Sequence, residues 1–145
     1  MLNSQNIFFN KRILIYGLGK SGLSTFKFLK KNNDIIKYDD KIKTNYKEIK
    51  KIKFDYIILS PGIDINKCSL SSFLKKNYKK IHTDLDIFYS HYKNNNKITI
   101  TGTNGKSTTA KILYEVLKAQ KVDVRLVGNI GNPILLEKNI TNKTV

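Results

Sequence analysis

Arg12-Ile13-Leu14-Ile15-Tyr16-Gly17-Leu18-Gly19-Lys20-Ser21-Gly22 is the stretch on which the fold turns. Its first five residues are a short, β-branched apolar run that stops at a glycine, the pattern of a buried strand. The next six form a GxGxxG, and Ser21 to Lys31 continues with Gly22, Phe26 and Leu29 at helical spacing and lysines at its end, where cations suit the helix dipole. A strand, a glycine loop and a helix in that order predict the opening of a Rossmann-like α/β unit. There the glycines permit a tight turn and let backbone N–H groups approach a diphosphate. Asp39 lies 20 residues after Gly19, where an acid commonly meets a ribose hydroxyl. By itself the loop does not identify a nucleotide, and a purely structural tight turn is the alternative.

Working outward, Asn32-Asn33 closes the helix, Ile35 to Tyr38 is a second strand ending at Asp39-Asp40, and Tyr56 to Leu59 is a third ending at Ser60-Pro61-Gly62. Tyr46 to Lys53 and Ser69 to Asn77 read as helices, Lys80 to His82 as a minor strand, and Asp84 to Tyr92 as a helix with Leu85, Phe88, Tyr89 and Tyr92 on one face. Strands that alternate with helices imply a parallel sheet covered on both sides. The polar run Lys93-Asn94-Asn95-Asn96-Lys97 has nothing to bury and marks a domain boundary. Beyond it, Ile98 to Ile100 and Val122 to Val127 are expected strands, with a helix from Lys106 to Lys118 between them.

Thr101-Gly102-Thr103-Asn104-Gly105-Lys106-Ser107-Thr108-Thr109 is a second glycine loop at a helix start. In such a loop successive N–H groups cradle phosphates, a lysine reaches the β/γ-phosphates and the following hydroxyl coordinates Mg²⁺. Those roles fall to Lys106 and Ser107. The strict pattern asks for a glycine where Ile100 stands, so the general motif is only partly met, and a Gly/Asn turn with an incidental lysine is the competing account.

Gly102 to Thr108 nevertheless resembles the ATP loop of the Mur ligases and folylpolyglutamate synthetases, a family that tolerates the missing glycine. Within it, three stretches together are similar to the branch that adds D-glutamate to UDP-N-acetylmuramoyl-L-alanine: Gly17 to Ser24, Leu59-Ser60-Pro61-Gly62-Ile63, and Gly128-Asn129-Ile130-Gly131-Asn132-Pro133. The resemblance implies an α/β chain with a UDP-substrate domain at 1–95, a Rossmann-like parallel sheet, followed at 96–145 by the incomplete start of a central P-loop ATPase domain. It implies an ATP-dependent ligase in which the substrate carboxylate becomes an acyl phosphate that the amine of D-glutamate attacks. Lys106 would be the catalytic lysine, Ser107 the Mg²⁺ ligand, and Gly102, Thr103, Asn104, Gly105, Thr108 and Thr109 the rest of the ATP cradle. Lys20, Ser21, Ser60, Pro61 and Gly62 match positions that grip UDP, Asp39, Asp40 and Lys41 the place where uracil lies, and Asn129 an asparagine near the reacting end. The family's remaining metal ligands, its modified lysine and its D-glutamate domain are expected past Val145, so the fragment alone is expected to be inactive.

Composition frames these readings. The 145 residues carry 27 Lys+Arg against 11 Asp+Glu, a formal charge of +16, and are 40% hydrophobic, enough for a core. The charge suggests nucleic acid, but Lys outnumbers Arg 25 to 2 and is scattered among 16 Asn and 20 Ile, a bias of A/T-rich codons. A solvated surface is therefore expected, with no nucleic-acid partner. No apolar run approaches the roughly 20 residues of a spanning helix, and the single Cys68 can form no internal disulfide, so a cytoplasmic monomer with no membrane contact is expected. His82 and His91 read as surface or interdomain histidines, Asp84 and Asp86 as helix-start acids, and Phe26, Phe28 and Phe88 as packing residues. The rival functions are an NAD-binding Rossmann oxidoreductase module and another Mur or folylpolyglutamate-type ligase.

Overall fold

The computed structural model describes residues 7–42, 46–128 and 130–145, and the chain divides into two compact units, Met1–His91 and Tyr92–Val145. In the first unit, β1 (Arg12–Tyr16), β2 (Asp34–Tyr38), β3 (Tyr56–Leu59) and β4 (Ile81–His82) form one sheet in the order β2-β1-β3-β4. All three pairings are parallel, with Leu14 opposite Ile36 on one side and Ile57 on the other. The predicted parallel α/β sheet is therefore present. Helices α1 (Lys20–Leu29), α2 (Tyr46–Ile49), α3 (Ser71–Lys76) and α4 (Asp84–His91) supply the crossovers and the cover.

Side-chain alternation along the strands builds two cores. Leu14, Tyr16, Ile57 and Leu59 face one way and pack with Tyr38, Ile49, Phe54, Leu70 and Leu74, all buried. Ile13, Ile15 and Ile58 point the other way and are buried as well, on the side where α1 lies against β1 and α4. A strand buried on both faces has no polar position, which is why β1 reads as a continuous apolar run. Outer strand β2 keeps Asp34 and Lys37 exposed. At the start of α4 the backbone and hydroxyl of Thr83 both donate to Asp86 Oδ2, at 2.6 and 2.9 Å. Asp86 is thus a helix-start acid, as its position suggested.

The second unit is built differently. Helix α5 (Lys106–Ala119) has no buried residue. Ala110, Leu113, Tyr114 and Leu117 line a groove shared with Ile98, Ile100, Val124, Leu126 and Val145. Here the expected strands at Ile98–Ile100 and Val122–Val127 are corrected: neither segment is a strand. Their apolar residues are placed toward α5, but a strand is closed by a ladder of backbone bonds, and they find only fragments of one. Arg125 N–H donates to the Val145 carbonyl and Val145 N–H to the Asp123 carbonyl, each at 2.8 Å, and Val127 forms an isolated bridge with Asn132. Among the described residues of this unit, Ile134, Leu135 and Thr144 are buried.

Candidate functional sites

Strand β1 lies between β2 and β3, so the chain leaves it in one direction and returns on the other side. The crevice at the carboxyl ends of β1 and β3 is the switch point where open parallel sheets take ligands. Gly17, Leu18 and Gly19 lie at that end of β1, and Ser60, Pro61 and Gly62 at that end of β3. Gly17 has φ +94°, and a Cβ on it would lie 2.7 Å from Ser60 Cβ. A Cβ on Gly22 would lie 1.8 Å from the Gly17 carbonyl oxygen, so helix and loop touch with no room for a methyl group. On Gly19 a Cβ would meet nothing within 4 Å. Two glycines thus serve close packing, while the middle one leaves backbone open to an approaching group.

Ser60 closes the crevice from the β3 side. Its N–H donates to the Tyr16 carbonyl at 2.9 Å and its hydroxyl to the Gly17 carbonyl at 2.8 Å. Helix α1 begins without a side-chain cap and without an acid in its first turn, so its positive end is left uncompensated and suits an anion. Lys20, Pro61 and Gly62 are exposed around it, and Ser21 is half-buried.

Asp39 and Asp40 part ways. Asp39 accepts the Leu18 N–H at 2.6 Å on one oxygen and the Lys41 N–H at 2.9 Å on the other, tying the loop after β1 to the loop after β2. Asp40 accepts the Tyr16 hydroxyl at 2.7 and 2.8 Å and the Ser69 hydroxyl at 2.5 Å. Tyr38 lies 2.6 Å from Ser69 Oγ and, with the Ser69 proton committed to Asp40, donates to it. Burial pushes the Asp40 carboxyl up, but hydrogen bonds from Ser69 and Tyr16 outweigh it and hold the group below its usual range. Burial and then the Asp40 carboxylate push the Tyr16 phenol far up. Tyr16, Tyr38 and Ser69 were not singled out as site residues from the sequence. The available signal was a tyrosine ending an aliphatic buried strand, whose hydroxyl must find a partner.

In the second unit, Gly102 (φ +150°) and Gly105 (φ +75°) let the loop turn into α5, which again begins with neither cap nor acid. Thr101 to Gly105 and Ser107 to Thr109 are exposed. The Lys106 ammonium folds back over the loop, donating to the Gly102 carbonyl and, at 3.0 Å, to the Thr103 carbonyl. Asn129 lies outside the described residues. Next to it, Gly131 takes φ +83°, and Asn132 donates to Glu137 at 2.9 Å, which in turn lies 3.6 Å from Arg125. Among the described residues no three His, Cys, Asp or Glu side chains gather as a metal site, and no helix is long and apolar enough to cross a membrane.

These features define an open parallel α/β protein with a close-packed glycine loop at its switch point and a second glycine loop leading into a helix. Residues 100–145 match the Mur ligase middle domain. Over most of its length the chain is similar to proteins named UDP-N-acetylmuramoylalanine--D-glutamate ligase. It is 34% identical to that of Caldicellulosiruptor bescii over 86% of this chain and 32% of the relative. It is 34% identical to that of Rickettsia prowazekii over 92% and 33%, and 37% identical to that of the Wolbachia of Brugia malayi over 90% and 30%. The chain is thus similar to Mur ligases over most of its length and spans about a third of the length of these relatives.

Proposed function

We propose that the chain is the nucleotide-handling front part of an ATP-dependent ligase that joins D-glutamate to UDP-N-acetylmuramoyl-L-alanine during peptidoglycan precursor synthesis. Residues 1–95 would bind the UDP group and residues 96–145 would open the ATP domain. The observation that carries this reading is the similarity to D-glutamate ligases across both glycine loops. The relatives' ligase names favour it over an NAD-binding oxidoreductase module.

In the first unit, the open backbone at Gly19 and the uncapped start of α1 would receive the diphosphate, with Lys20, Ser21, Ser60, Pro61 and Gly62 around it. Asp39, Asp40 and Lys41 would border the uracil. In the second unit, the Lys106 ammonium would exchange its loop carbonyls for β/γ-phosphate oxygens, Gly102 to Gly105 and Thr108 to Thr109 would supply the cradle, and Asn129 would lie toward the reacting carboxylate. Ser107 is an exposed hydroxyl at a helix start, a hard oxygen donor of the kind that would hold Mg²⁺ together with phosphate and water. Bound there, the metal would neutralise charge on the phosphates. The chain's own work is to bind and orient: the carboxylate takes up the γ-phosphoryl group of ATP with release of ADP, and the amine of D-glutamate then displaces phosphate, losing a proton, as the amide forms.

Calorimetric titration of the purified chain tests the reading. UDP is expected to bind and NADH is not, and ATP binding is expected to be lost in Lys106→Ala while UDP binding stays. Tight NADH binding without a response to UDP would replace the ligase reading with the oxidoreductase one.

A further inference from the structure

Two adjacent carboxylates, Asp39 and Asp40, tie three segments together at the carboxyl edge of the sheet. Asp39 joins the glycine loop to the turn after β2 through Leu18 N–H and Lys41 N–H. Asp40 joins that same turn to the end of β1, through Tyr16, and to the segment that follows β3, through Ser69. Tyr16 has no exposed surface, so its hydroxyl reaches Asp40 from inside the core and cannot itself touch a ligand in the crevice. Its ring is fixed edge-on against Tyr38, with centroids 5.1 Å apart, and Tyr38 holds the other side of Ser69.

We propose that Tyr16, Asp40 and Ser69 are positioning residues for uridine nucleotide binding. Asp40 accepts the Tyr16 and Ser69 hydroxyls in this lock, and the lock holds Asp39 and the Lys41 backbone where the uridine end of the nucleotide arrives. The inference rests on the UDP reading of the first unit and deepens it. It gives Asp40 a stapling role at the turn, and it adds Ser69 at the surface and Tyr16 within the core as residues that hold the turn in place. The chemistry is consistent: a buried phenol and a hydroxyl donating to one carboxylate are charge-assisted bonds, which define geometry more sharply than neutral ones. Preorganising the turn also removes an ordering cost from binding.

The test uses the whole chain, UDP as ligand, and two readouts. Tyr16→Phe keeps the ring packing and removes the hydroxyl; Ser69→Ala removes the second donor; Ser69→Thr keeps one. Calorimetry is expected to show UDP affinity falling about tenfold in Tyr16→Phe and in Ser69→Ala, with most of it restored in Ser69→Thr. Amide hydrogen exchange in the absence of nucleotide is expected to speed up at Leu18 and Lys41 in the same two variants, with Thr109 in the second unit unchanged. A folded Tyr16→Phe that binds UDP like the parent overturns the proposal and leaves the UDP reading standing. Weaker UDP binding without faster exchange overturns it in favour of direct contact. A parent chain that ignores UDP while the variants still exchange faster sinks the UDP reading and, with it, the positioning role. Should Tyr16→Phe fail to fold, the Ser69 pair decides the question alone.

Discussion

Both units end an apolar segment in a glycine loop and start a helix from it, yet the two loops rest on different supports. Behind Gly17 stands β1, hydrogen-bonded on both sides and buried on both faces. Behind Gly102 stands Ile98–Ile100, which has no ladder, and ahead of it α5, which has no buried residue. The first loop is pinned by contacts a methyl group would break, and the second is open on nearly every side. A short motif can therefore specify its local turn in both places, while its rigidity comes from the layer beneath it.

The largest effect that would sharpen this contrast is a core truncation. Leu14→Ala removes a fully buried side chain between two strands and is expected to cost the first unit about 3 kcal/mol. Leu113→Ala on half-buried α5 is expected to cost less than about 1 kcal/mol. Urea unfolding of the two variants measures both, and equal losses would erase the distinction.

A smaller effect is expected at the glycines. Gly22→Ala places a methyl group 1.8 Å from the Gly17 carbonyl and should destabilise the first unit by about 2 kcal/mol as helix and loop move apart. Gly19→Ala meets open space at an ordinary φ of −69°, so its thermal midpoint should stay near that of the parent while UDP binding weakens. Finding the two alike in stability would show that the close approach is not maintained in solution.

The smallest effect is a pH dependence confined to the first unit. Asp40 is held below its ordinary range in the folded chain, so in acid the unfolded chain takes up its proton first. Its contribution is complete above the usual carboxylate range near about pH 4 and is lost as pH falls through that range and below. Comparing urea midpoints down this window, the parent should lose more stability than Asp40→Asn, and parallel curves would remove the staple's electrostatic part.

Particular residues show why some of this was legible. The strands Arg12–Tyr16 and Tyr56–Leu59 were read with their observed bounds, because apolar β-branched runs cut off by Gly17 and Ser60-Pro61 carry period and punctuation together. Helix ends shifted by a few residues, as at Ser71, where Leu70 lies outside the helix but in the core. Val122–Val127 misled because alternation of Val122, Val124 and Leu126 records burial on one side, whereas a strand also needs a neighbour at ladder distance. Asp39 was noticed for its spacing from Gly19, but its two backbone bonds to Leu18 and Lys41 depend on how the ends of β1 and β2 align.

By itself the sequence determined the strands and helices of the first region, where the two glycine loops fall, and that this region alternates as a parallel α/β unit. Those properties are local, set by side-chain shape, periodicity and the dihedral freedom of glycine. Only the tertiary structure decided that Gly17 and Gly22 must be glycines for lack of space, that Asp40 faces Tyr16 and Ser69, and that Lys106 lies on its own loop. Each of these depends on the distance between residues far apart in the chain or on the rotamer a long side chain adopts, and no spacing along a sequence contains either.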